Sequence, residues 1–131
     1  HDVIRRQRQM CIRDSIGTNV PKVNPNTTLD KALIEITKKN LGITLIAQKS
    51  KIIGIFTDGD LRRCINNKIN IQNTKIKDVM TKNFKTISKD SLAVDAAKIM
   101  ESNKIFTLVV IDKNRYSGVI SMHDLIEARI L

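Results

Sequence analysis

The chain has 131 residues, with 23 lysines and arginines against 13 aspartates and glutamates, a formal charge of +10, and 41% apolar residues. That length suffices for one domain with its own core, or for two half-size units that share one. No apolar run approaches the roughly 18 residues of a membrane span, and nothing has the layout of a signal peptide, so a soluble, cytoplasmic chain with no membrane partner is expected. The basic excess raises nucleic acid as a partner. The charge is scattered, however, and most of the four aromatics (Phe56, Phe84, Phe106 and Tyr116) sit inside apolar strand-like runs where no base could stack, so no nucleic acid is expected. Two cysteines, Cys11 and Cys64, offer neither a disulfide framework nor a CxxC metal site.

The first fifteen residues, HDVIRRQRQMCIRDS, hold four arginines and no lysine, whereas the remainder holds fifteen lysines and four arginines. With no methionine at the start, residues 1–15 read as a foreign leader on a truncated frame, or else as a native basic helix, and are set aside from the fold. From there the chain reads as two copies, 16–74 and 75–131. In the first, Lys22 and Val23 are extended, and Thr28 caps a helix whose Leu29, Ala32, Leu33 and Ile36 recur at helical spacing. Asn40, Leu41 and Gly42 end that helix. Strands at 43–47 and 52–56 follow, joined by the turn QKSK, and then a helix at 59–66.

The second copy repeats this grammar. An extended piece at 84–87 precedes Ser91 as N-cap, with Leu92, Ala96 and Ile99 on one helix face and Ser102, Asn103 and Lys104 at its end. Strands at 106–111 and 118–120 are joined by DKNRY, and a helix runs over 123–130. A shift of 63 positions aligns Leu29 with Leu92, Ile36 with Ile99, Asn40 with Asn103, Thr44 with Thr107 and Leu45 with Leu108. One extra residue in the second loop then lays KIIGIFTDGDL over RYSGVISMHDL. The reading is an α/β fold, β-α-β-β-α twice. Units of about 50 residues cannot cover both faces of a sheet alone, so the copies are expected to pack about a pseudo-twofold axis with clefts between them.

Strand-to-helix turns at the carboxyl ends of strands point into such clefts. Here Thr57-Asp58-Gly59-Asp60 lies over Ser121-Met122-His123-Asp124: the duplication keeps a hydroxyl and an aspartate three residues on, but neither Asp58 nor Gly59. A metal loop built on Asp58 is therefore not expected, nor is any cofactor. The retained pattern has two readings. It is a capping box, in which hydroxyl and carboxylate satisfy free N–H groups at the helix start. It also suits a ligand, with a phosphate at the hydroxyl and first-turn N–H groups and a ribose diol on the carboxylate. No Ser/His/Asp or Cys/His set offers an active site, so no catalytic residue is expected; His123 reads as a turn residue or a phosphate neighbour.

The doubled unit, with GIFTDGDL at 54–61, GVISMHDL at 118–125 and IKDVMTKN at 76–83, resembles a CBS domain pair, the regulatory module named after cystathionine β-synthase. More narrowly, LGITLIA, IIGIFTDGDLRR and MHDLIEA are similar to the C-terminal half of bacterial D-arabinose-5-phosphate isomerases. CBS pairs attached to sugar nucleotidyltransferases also carry TDGDxRR, and a stand-alone ligand-sensing pair is the other alternative. The resemblance covers about residues 16 to 131. It implies a regulatory module for an adenosine nucleotide (AMP- or ATP-like), with Asp60 and Asp124 at ribose hydroxyls, Thr57 and Ser121 at phosphate, and Arg62 and His123 alongside. It also implies a homo-oligomer formed through CBS pairs and a sugar isomerase domain upstream that carries the catalysis for Kdo and lipopolysaccharide synthesis.

Overall fold

A computed structural model describes residues 11–12, 20–39 and 42–128. The first copy contains β1 (Lys22–Val23), α1 (Leu29–Lys39), β2 (Ile43–Gln48), β3 (Lys51–Thr57) and α2 (Asp58–Asn66); a 3-10 turn at Ile76–Asp78 follows. The second contains β4 (Thr86–Ser88), α3 (Ala93–Asn103), β5 (Thr107–Asp112), β6 (Arg115–Ser121) and α4 (Met122–Glu127). The expected β-α-β-β-α repeat is thus present twice. Each copy has a three-stranded sheet with its second strand in the middle, parallel to the first strand and antiparallel to the third. The expected leader residues 1–10 and 13–15, the helix end at Asn40 and Leu41, and residues 129 and 130 of the last expected helix lie outside the described residues.

The two hairpins are built alike. Lys49 and Ser50 have φ of 52° and 66°, and Lys113 and Asn114 have 51° and 66°. Two consecutive left-handed residues make a two-residue turn whose twist matches that of the flanking strands. One register slip follows in each ladder, between Ile46 and Ala47 and between Val110 and Ile111. The extra residue bends each strand at the same place.

These equivalences set the repeat offset at 64 throughout, not at 63 over the first half. Leu29, Ala32 and Ile36 are buried on α1, and the residues 64 further on, Ala93, Ala96 and Met100, are buried on α3. Leu29 therefore corresponds to Ala93 rather than Leu92, and Ile43 to Thr107. The sequence match misleads because α3 presents alanines to its core, so leucine and isoleucine identities one residue out of step outweigh them. Ser91 is corrected for the same reason. Leu92 is the N-cap of α3, with no side-chain cap bond, while Ser91 closes a turn by donating its N–H to the Ser88 carbonyl at 3.0 Å.

Residues 20–84 form one compact unit; 85–128, together with Cys11 and Ile12, belong to the other. The first core is Leu29, Ala32, Ile36, Ile46, Phe56, Cys64 and Ile76. The second gathers Ala93, Ala96, Met100, Leu108, Val110, Ile120 and Leu125 around Ile12, which is fully buried. Ile12 lies inside the stretch set aside as a leader, yet it repeats Ile76 in detail. Ile76 N–H donates to the Thr27 carbonyl at 2.8 Å, and Ile12 N–H to the Ser91 carbonyl at 3.0 Å. Thr28 bridges to Lys75 as Leu92 does to Cys11. At an offset of 64, Ile-Arg-Asp at 12–14 lies over Ile-Lys-Asp at 76–78.

Candidate functional site

Both strand-to-helix turns carry the expected hydroxyl and carboxylate, and both are complete capping boxes. Thr57 and Ser121 are extended N-caps, at φ −118° and −110°, which aims each hydroxyl at the N–H three residues on. At α4, Asp124 N–H donates to Ser121 Oγ at 3.1 Å and Ser121 N–H donates to Asp124 Oδ2 at 2.8 Å. At α2, Asp60 N–H donates to Thr57 Oγ1 at 3.4 Å and Thr57 N–H to Asp60 Oδ2 at 2.9 Å.

Beyond the cap the two positions diverge. Asp60 is only 4% exposed, whereas Asp124 is half-buried. The other Asp60 oxygen, Oδ1, accepts the Thr81 hydroxyl at 2.9 Å and the Arg63 guanidinium. Thr81 is held there because residues 79–81 run along β3. Ile55 and Thr81 exchange both backbone hydrogen bonds, at 3.0 and 2.8 Å. Gly54 permits this approach, since a Cβ there would collide with the Met80 side chain and lie 3.2 Å from the Thr81 carbonyl oxygen.

Of the other expected residues, Arg62 is exposed, and the adjacent Arg63 is the one that reaches Asp60. The i, i+3 spacing of Asp60 and Arg63 was a readable signal. Thr81, 21 residues from its partner, had no local one. His123 is 77% exposed, with Nε2 3.1 Å from Glu127 Oε1, an i, i+4 pair on the outer face of α4. Asp58 is exposed and donates its N–H to the carbonyl of Gly42, a residue at φ +69°. Behind the first site, burial pushes the Cys64 thiol pKa up; the nearby Asp60 carboxylate adds to this and Arg63 opposes it. Among the described residues no three His, Cys, Asp or Glu side chains lie close enough to share a metal ion, and no helix is long and apolar enough to cross a membrane. A cavity of about 350 Å³ in the first unit lies at the hairpin end of the sheet, walled by Pro25, Ile53 and Met80 with Lys77 and Lys82 at its edge; it contains none of the expected site residues.

A duplicated α/β unit with a hydroxyl–carboxylate box at each strand-to-helix turn defines a tandem-repeat module. The chain belongs to the CBS domain family, whose model matches residues 12–67 and 76–131. Among curated proteins it is 47% identical over 116 residues to the arabinose 5-phosphate isomerase KdsD of Yersinia pestis, a match covering 88% of this chain and 35% of that protein. The chain spans about a third of the length of the curated relatives it matches. Among solved structures it is similar to the CBS-domain protein ATU1752 of Agrobacterium tumefaciens, with a TM-score of 0.85, 22% identity, and coverage of 92% of this chain and 94% of that one. The CBS domain protein PAE2072 of Pyrobaculum aerophilum, solved in complex with AMP, superposes with a TM-score of 0.80 at 16% identity, covering 93% of this chain and all of that one.

Proposed function

We propose that this chain is the regulatory, ligand-sensing part of a D-arabinose-5-phosphate isomerase, and that its ligand is an adenosine nucleotide. The parent enzyme interconverts D-ribulose 5-phosphate and D-arabinose 5-phosphate in the cytoplasm, and its catalytic residues lie outside this chain. The ligand's ribose hydroxyls are assigned to the Asp60 and Asp124 positions and its phosphate to the hydroxyls of Thr57 and Ser121, with Arg62 and His123 beside it. One observation carries the reading: the duplication changed Asp58-Gly59 to Met122-His123 yet kept the hydroxyl and the carboxylate with the same geometry at both helix starts. Identity to the isomerase of Yersinia pestis supports the parent, and the AMP complex of the Pyrobaculum aerophilum protein supports the ligand class.

Calorimetric titration with AMP tests it. Saturable binding is expected, weakened about tenfold or more by Asp124→Asn, since hydrogen bonds to a charged group are worth about 1.5 to 3 kcal/mol. Asp58→Asn, which alters a carboxylate that the second copy lacks, is expected to leave binding unchanged. Absence of binding, or equal loss at Asp58, would overturn the reading. The chain by itself is expected to turn over neither pentose phosphate.

A further inference from the structure

We propose that the two carboxylate positions are functionally unequal: the chain's own Thr81 and Arg63 occupy the first, so that a nucleotide binds at the Asp124 position and reaches Asp60 only when residues 79–81 lift from β3. This rests on the nucleotide reading above and adds to it which position is open and which residues close the other.

A carboxylate has about four lone-pair positions. Asp60 fills them from its own unit. Oδ2 takes the Thr57 N–H at 2.9 Å and the Thr57 hydroxyl at 3.2 Å, while Oδ1 takes the Thr81 hydroxyl at 2.9 Å and the Arg63 guanidinium. A ribose diol needs two acceptor positions, and here both would have to be vacated. Removing Thr81 alone breaks more than one bond, because the reciprocal backbone pair with Ile55 and the packing of Met80 over Gly54 hold the same three residues.

In the sequence, neither closing residue type recurs at the equivalent position of the second copy. At the offset of 64, Glu127 stands where Arg63 does, and it pairs with His123 instead. The sequence position equivalent to Thr81 is Gly17, which has no hydroxyl. Asp124 accepts the Ser121 N–H through Oδ2, and among the described residues no other donor is bonded to it. The duplication thus kept both boxes and sealed one.

The number of AMP sites on the full chain, measured by calorimetry, is the test. One site is expected for the unaltered chain, and also for Thr81→Ser, which keeps the closing hydroxyl. Thr81→Ala combined with Arg63→Ala is expected to bind two AMP molecules, and adding Asp60→Asn is expected to return it to one. Thr81→Ala alone, a smaller change to the fold, is expected to raise affinity for a second AMP at least tenfold over the unaltered chain. Two equal sites in the unaltered chain, or a single site retained in both opened variants, would overturn the proposal while leaving the nucleotide reading intact. No AMP binding by any variant would remove that reading and this proposal with it.

Discussion

The starts of α2 and α4 share one cap and have opposite surroundings. At α4 the half-buried carboxylate serves the helix and, among the described residues, accepts from no other donor; at α2 the buried carboxylate is the hub of a network joining the helix, the strand before it and a segment 21 residues away. A retained motif therefore need not retain a role. What distinguishes the two is whether the surrounding chain brings further donors to the same oxygens.

The sharpest way to break this comparison is to truncate both carboxylates. Asp60→Ala leaves the Thr57 N–H and the Thr81 hydroxyl without their acceptor in a nearly closed site, at an expected cost of about 2 to 3 kcal/mol. Asp124→Ala loses a cap next to solvent, with an expected cost of about 1 kcal/mol. Urea midpoints at constant slope measure both, and equal losses would remove the distinction. Next comes Gly54→Ala, which forces the Met80 side chain and the Thr81 backbone away from β3. It is expected to cost about 1 to 3 kcal/mol, as overpacking does, and Met80→Ala should restore part of the loss.

A smaller effect is read at Cys64. Its pKa is raised in the folded state, so the unfolded chain loses the thiol proton first. The stability carried by the neutral thiol is complete below the unfolded pKa of about 8.5 and falls as pH rises through the folded value. A stability profile across this range is expected to flatten in Cys64→Ala. It should flatten in part in Asp60→Asn, which removes the carboxylate's share of the shift. Smallest is the difference between the hairpins. Ser50→Gly relieves a left-handed serine and is expected to stabilise by about 0.5 to 1 kcal/mol. Asn114→Gly is expected to gain less, because asparagine tolerates that conformation.

Much of this architecture was legible in the residues. Apolar runs on either side of QKSK and DKNRY marked the hairpins, and a hydroxyl three residues before an aspartate marked both helix starts. The repeat offset was misread because it was set by side-chain identity, whereas burial sets it in the fold, and alanines such as Ala93 and Ala96 carry little hydrophobic signal. The Asp60 network was invisible for a different reason. Arg63 was within reach by helical spacing, but Thr81 arrives through a backbone pairing with Ile55 that no local pattern announces.

The buried Ile12 makes the two halves depend on each other. In the sequence each copy is headed by an Ile-Arg/Lys-Asp arm, yet the arm heading the second copy, with Ile76, fills the core of the first, and the arm heading the first, with Ile12, fills the core of the second. Each half therefore takes one fully buried core residue from the arm that heads the other. A substitution at Ile12 or Ile76 is thus felt as lost packing in the other half, not in the copy whose sequence it heads.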